Sequence, residues 1–175
     1  MTPIQDCIIN KNNKINPIWI MRQAGRYLPE FREIRLKNPD FIKLCLNEKL
    51  SSKITLQPIK RFNFDAAIIF SDILMLPYGL GQEVKFEKGL GPKLGKLDLD
   101  LIANTNKEEF SEKLNPIYKS ISNISSDIIC KNKDIIGFVG APWTILVYMV
   151  NKMSPKKSLS KEIFNDKLFI KKLLS

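Results

Sequence analysis

The sequence predicts a parallel α/β sheet, and three observations carry that reading. Residues 15–21, 65–70 and 135–139 are short apolar runs, β-rich and too short for buried helices, so they read as buried strands. Helical patterns with one apolar face lie between them. Polar residues stand just past the strand ends: Arg22, Asp72, and the turn at 140–144. In open α/β sheets and (β/α)8 barrels alike, that edge carries the chemistry. The 175 residues contain no long polar linker and no close internal repeat, so residues 1–175 are expected to form one domain.

The elements follow in order. The first strand, 15–21, ends at Arg22. Gly25 and Pro29 then discourage regular structure, which leaves Arg22 and Arg26 on a loop. Residues 39–62 carry Leu46, Leu50 and Ile54 at four-residue spacing, a helix pattern. The second strand, 65–70, delivers Ser71 and Asp72. Residues 78–95 are Gly-rich. Val84 to Glu87 reads there as an excursion strand, turned by Gly89, Gly91 and Pro92. No Lys-Ser/Thr pair and no GxGxxG follows those glycines, so they do not make a phosphate loop.

Asn115-Pro116 has the form of an N-cap with Pro at the first helical position. Leu114, Ile117, Ile121, Ile124 and Ile128 then supply one apolar face. The third strand, 135–139, breaks at Gly140 and opens a helix that carries Tyr148 and ends by Pro155. Ser158 or Ser160 is expected to cap a last helix running through Leu173.

Composition narrows the chemistry. The chain has no His, which removes His-based zinc sites, Ser-His-Asp triads and any His general base. Cys7, Cys45 and Cys130 lie far apart and read as free thiols. No apolar run reaches the roughly 20 residues of a membrane helix, and the N-terminus lacks a signal-peptide core. A cytoplasmic protein with no membrane partner is expected. The net charge of +10 favours anionic partners. Most of it comes from Lys spread along the chain, and no basic block interleaved with aromatics suggests a nucleic-acid groove. Arg behaves differently. There are five, and Arg22, Arg26, Arg32 and Arg35 fall close together. The planar guanidinium fork binds carboxylate or phosphate bidentately, which Lys cannot do. Arg22 and Arg26 are the anion-binding candidates; Arg32 and Arg35 read as surface residues of a helix.

Pro17-Ile18-Trp19-Ile20-Met21-Arg22-Gln23-Ala24-Gly25-Arg26-Tyr27-Leu28-Pro29-Glu30 resembles the first signature of the uroporphyrinogen decarboxylase family. Gly137-Phe138-Val139-Gly140-Ala141-Pro142-Trp143-Thr144, followed by Tyr148-Met149-Val150, is similar to the second. Phe70-Ser71-Asp72-Ile73-Leu74 matches the segment with the family's central aspartate, and Thr55-Leu56-Gln57-Pro58 and Phe86-Glu87 fit in order. The resemblance spans essentially the whole chain. It implies the N-terminal half of a (β/α)8 TIM-type barrel, usually a homodimer when full length. It also implies conversion of the four acetate arms of a tetrapyrrole, uroporphyrinogen III, to the methyl groups of coproporphyrinogen III, with no metal and no organic cofactor.

The substrate so implied carries eight carboxylates around four pyrrole N–H donors. It needs cations at its rim and an acceptor at its centre. By resemblance, Arg22 and Arg26 hold rim carboxylates, with Gln23, Ala24 and Gly25 making loop contacts. Asp72 accepts the pyrrole N–H bonds and stabilises a cationic ring intermediate. Tyr148 hydrogen-bonds near Asp72 or a substrate arm. Arg22 is also placed to polarise the reacting acetate; because Arg rarely gives up a proton, its part is electrostatic.

Without the motifs, Asp72 reads as a cap of the following helix and Tyr148 as a core aromatic. The sequence departs from the family at Asn151-Lys152-Met153, where Glu-Gly-Gly is usual, and at Leu90, where Glu stands between two glycines. The family chain is also about twice as long, as a whole barrel requires, and its second half supplies a Ser or Thr and a His to the cleft. The alternatives are a non-catalytic remnant with weak anion binding, a basic nucleic-acid module, and a related barrel methyltransferase.

Overall fold

In the computed structural model, residues 1–87, 89–154 and 159–174 are described. They form a mixed α/β structure of two compact units: Met1–Ser71 with Asn115–Phe138, and Asp72–Leu114 with Val139–Ser175.

The first unit contains α1 (Pro3–Ile9), α2 (Pro29–Lys37), α3 (Phe41–Cys45), α4 (Glu48–Phe62) and β1 (Ala66–Ile68). It also holds β4 (Asp134–Ile136), which pairs in parallel with β1: Ala66 opposite Asp134, Ala67 opposite Ile135, Ile68 opposite Ile136. A parallel pair this distant in sequence needs a long crossover, which the intervening chain supplies. Leu56 and Ile59 of α4 bury against Ala67, Ile69, Ile124 and Cys130. A second cluster joins Leu28, Phe31 and Ile34 to Leu44 and Ile54, with Ala24 and Phe70 packed against it.

The other unit contains α5 (Met75–Gly79) and an antiparallel hairpin of β2 (Val84–Glu87) and β3 (Gly91–Leu94). It continues with α6 (Leu99–Asn104), and later α8 (Pro142–Asn151), α9 (Lys161–Asn165) and α10 (Lys167–Leu174). Leu146, Val147 and Leu159 form its apolar cluster with Val150, Ile163 and Ile170. The helix α7 (Lys107–Ser126) contributes residues to both units.

Several expectations are corrected. Residues 15–21 form no regular strand. Ile18 accepts a backbone bond from Asp65 N at 2.9 Å, and its own N–H donates to the Asp65 carboxylate at 2.7 Å. Pro17 has no N–H to extend a ladder, and the run is open to solvent, with Ile18 60% and Met21 76% exposed. The third strand stops at Ile136. Beyond the last rung, Ile69 N to Ile136 O at 3.1 Å, Phe138 and Val139 are exposed.

The helical pattern at 39–62 is two helices, because Asn47 caps a fresh start by accepting from Leu50 N at 2.9 Å. Asn115-Pro116 is not a helix start. α7 begins eight residues before Asn115, where Asn106 caps it by accepting from Glu109 N at 2.8 Å, and Pro116 lies inside the helix. The proposed last helix is split at Asp166, whose carboxylate accepts from Phe169 N at 2.9 Å. Ser160 does cap α9, accepting from Ile163 N at 3.4 Å; Pro155 and Ser158 lie outside the described residues.

The two local departures have distinct settings. Leu90 sits at the exposed tip of the β2–β3 hairpin, between Gly89 and Gly91 at φ 82° and 88°. Lys152 ends α8 in the left-handed region, φ 58°, with its N–H on Tyr148 O at 2.8 Å. The loop has a defined shape: Lys152 O accepts from Leu94 N at 2.8 Å, and Met153 bridges to Lys93.

Candidate functional site

The arginine loop is built from the inside out. Gln23 is 1% exposed. Its amide donates to Ala66 O, at the start of β1, at 2.8 Å, and its side-chain oxygen accepts from Ile20 N at 3.2 Å. A buried amide bonded at both ends is a strong tether, because losing either bond strands a buried polar group. Ala24 packs on the adjoining apolar cluster. Gln23 and Ala24 therefore face inward, which leaves Arg22 and Arg26 exposed on either side.

The loop's carbonyls are occupied as well. Tyr27 Oη donates to Gln23 O, Leu28 N donates to Gly25 O at 3.0 Å, and Arg32 Nη1 donates to Arg26 O at 2.8 Å. Among the described residues, Arg22 and Arg26 make no ion pair. The loop thus presents two guanidinium forks with no carboxylate competing for them. A Cβ added at Gly25 would meet only the Tyr27 ring, at an ordinary 3.6 Å, so the chain's own packing does not demand glycine there.

The arginine cluster splits by role. Arg32 and Arg35 do lie on a surface helix, as expected, but both donate to backbone. Arg35 Nη1 reaches Asn38 O at 2.7 Å, and its guanidinium lies 5.3 Å from the Phe41 ring centre. They shape the chain and are poor candidates for ligand contact.

Asp72 lies in the other unit, at the turn into α5. Its Oδ1 accepts from Leu74 N at 2.9 Å, and its carbonyl accepts from Met75 N at 3.1 Å. The carboxylate bond is a local turn bond to Leu74, the N-cap residue of α5, and no side chain caps that helix, so the capping reading is corrected; the bond uses one carboxylate oxygen. Among the described residues, Oδ2 has no hydrogen-bond partner. Burial pushes the Asp72 carboxyl above the ordinary carboxylate range, and the Leu74 N–H opposes that only in part. Among the described residues no cation offsets it.

In the same unit, α8 packs against α5 and carries a half-buried Tyr148. The turn before α8 fits closely: a Cβ on Gly140 would lie 2.4 Å from Ile145 Cδ1 and 3.2 Å from Ile73 Cβ. Gly140 thereby lets the turn settle on the residue that follows Asp72. The structure brings Arg22, Gln23, Ala24, Gly25 and Arg26 together on one loop of the first unit, and Asp72 and Tyr148 onto packed elements of the second. Among the described residues, no three His, Cys, Asp or Glu side chains are arranged to hold a metal ion, and no helix is long and apolar enough to cross a membrane.

Sequence reasoning missed three residues that hold the site's frame. Thr55, fully buried, accepts from Phe70 N at 2.8 Å and donates to Ser51 O at 2.9 Å, fixing the end of the second apolar run. Tyr27 and Arg32 hold the arginine loop. A hydroxyl on the apolar face of a helix pattern was the available signal for Thr55; spacing gave none for the other two.

The described residues thus make a mixed α/β fold that carries a tethered loop with two exposed arginines and, in the other unit, a half-buried aspartate. The chain belongs to the uroporphyrinogen decarboxylase (URO-D) family, whose model matches residues 2–175. It is 46% identical over 134 residues to the uroporphyrinogen decarboxylases of Chelativorans sp., Brucella anthropi and Brucella ovis. The matched stretch covers 77% of this chain and 39% of each relative.

Proposed function

We propose that residues 1–175 form one partial domain, the N-terminal half of a (β/α)8 barrel. Completed by the remaining strands, it decarboxylates the four acetate arms of uroporphyrinogen III to give coproporphyrinogen III. The observation that carries this reading is the match to the decarboxylase family over nearly the whole chain, joined to a loop whose two arginines are exposed and unpaired.

Arg22 and Arg26 take rim carboxylates of the tetrapyrrole, each by two parallel N–H···O bonds. The 23–25 backbone lies between them, and Gly25 gives the substrate room. Protonation of a pyrrole carbon yields a cationic ring. The bond from the arm's methylene to its carboxylate then breaks, its electron pair flows into the ring, and carbon dioxide leaves. A proton then adds to the exocyclic methylene to complete the methyl group, and the proton first placed on the ring carbon is lost, which restores the pyrrole. Asp72 receives the pyrrole N–H groups and stands against the developing positive charge. Those donors, and that charge, favour the ionised carboxylate, so the interaction is strongest in the transition state. Arg22 polarises the reacting acetate, and Tyr148 hydrogen-bonds a substrate arm or the neighbourhood of Asp72. The complete protein is cytoplasmic and a homodimer, with no nucleic-acid or membrane partner and no cofactor.

The test adds uroporphyrinogen to this chain alone and to the chain mixed with a polypeptide carrying the rest of the family sequence. Coproporphyrinogen formed in the mixture supports the reading. No product in either case overturns it and leaves a non-catalytic remnant.

A further inference from the structure

We infer that Tyr27 and Arg32 are positioning residues for the arginine loop, holding it in the conformation that presents Arg22 and Arg26 outward. The inference deepens the proposed function, since the loop is the carboxylate site on that reading, but it concerns how the loop is held rather than what it binds.

Three observations support it. Tyr27 Oη donates to the carbonyl of Gln23, the residue between the loop and its buried tether on β1. The phenol ring is itself fixed, stacked on Phe62 at 6.3 Å between centroids with 28° between planes. Arg32 Nη1 donates to Arg26 O at 2.8 Å and reaches Tyr27 O at 3.4 Å. The loop is thus pinned at both ends by donors that contribute nothing to its outer face.

The electrostatics agree. A carbonyl left free beside Arg22 or Arg26 would offer each guanidinium an acceptor of its own, in competition with an incoming carboxylate. Capping those carbonyls removes that competition. Burial, and then the nearby Glu30 charge, push the Tyr27 phenol above its ordinary range, so it stays a donor at neutral pH. Glu30 in turn pairs with Arg61, at 2.9 Å.

Hydrogen exchange and probe binding on the full chain test this together, the probe being uroporphyrin III, a fluorescent octacarboxylate. Tyr27→Phe keeps the ring and its stacking while removing the donor. It is expected to leave the melting temperature close to that of the parent, to speed amide exchange at residues 20–28 alone, and to weaken probe binding roughly tenfold, the scale of one hydrogen bond. Arg32→Ala is expected to do the same, and Arg32→Lys, which keeps a donor, to recover part of the loss. Arg35→Ala, whose contacts lie elsewhere, is the control. Exchange unchanged in Tyr27→Phe, or raised evenly along the chain, overturns the inference. If exchange rises only in the loop but neither the parent chain nor its mixture with the rest of the family sequence binds the probe, the positioning role stands and the functional reading falls.

Discussion

The side-chain amide of Gln23 donates to the carbonyl of Ala66 at 2.8 Å, joining an exposed loop to the first residue of the parallel sheet. That bond ties the outer loop to the strand. Replacing Gln23 by Met keeps the shape and strands both the Ala66 carbonyl and the Ile20 N–H. The expected cost is about 2–4 kcal/mol in urea unfolding, well above that of a surface substitution.

Gly140 is expected to tolerate no methyl. A Cβ would lie 2.4 Å from Ile145 Cδ1 and 2.7 Å from its Cγ1, so Gly140→Ala should destabilise by about 1–3 kcal/mol. Adding Ile145→Val removes the nearest atom and should return part of that loss, a coupling that a double-mutant cycle measures directly.

Lys152 occupies a left-handed helix cap where the family usually has Gly. A side chain there costs roughly 1 kcal/mol. Lys152→Gly should therefore raise stability by about that amount in denaturant melts, unless the looser unfolded chain offsets it. A fall in the midpoint would mean that the freer unfolded chain outweighs the relief of the left-handed cap.

Asp72→Asn keeps the acceptor for Leu74 N but cannot ionise. In the native chain, the folded-state pKa is raised above the unfolded one by burial. From the ordinary carboxylate range up to that raised value, the folded state holds more protons, so stability falls as pH rises. Above it, the penalty is complete. The variant should lack this fall and be more stable than the parent at neutral pH, while turnover of the completed enzyme drops sharply. Urea midpoints against pH, alongside coproporphyrinogen yield, separate the two effects.

Arg22→Lys keeps the charge and loses the fork. In the completed enzyme it should weaken substrate binding and turnover together, by roughly tenfold or more, the scale of one charge-assisted bond. Full activity in this variant would remove Arg22 from the site.

Much of the frame was legible because its signals are local. The run at 65–70 is apolar and β-rich, and it contains the strand; Gly140 and Pro142 mark a break and a helix start that both occur. The parallel pairing followed from class rather than from any residue. What escaped the sequence depended on partners. Residues 15–21 look like a strand, but a strand needs a ladder, and among the described residues only Ile18 of this run finds a backbone mate. Pro116 looks like a first helical residue, yet Asn106 caps the helix earlier and the apolar face carries it through. Arg22, Arg26 and Asp72 stood out as candidates by residue type and motif. The split between presented and capping arginines was not legible, since Arg32 differs from Arg26 only in what lies across from it.

The pairing of β1 with β4 also sets a timetable. During synthesis, Ala66 to Ile68 leave the ribosome long before their mates at 134–136 exist. In that interval Leu56 and Ile59 of α4 are the local shelter available to Ala67 and Ile69. A helix laid down just ahead of the strand is thus the part of its final packing that synthesis supplies first.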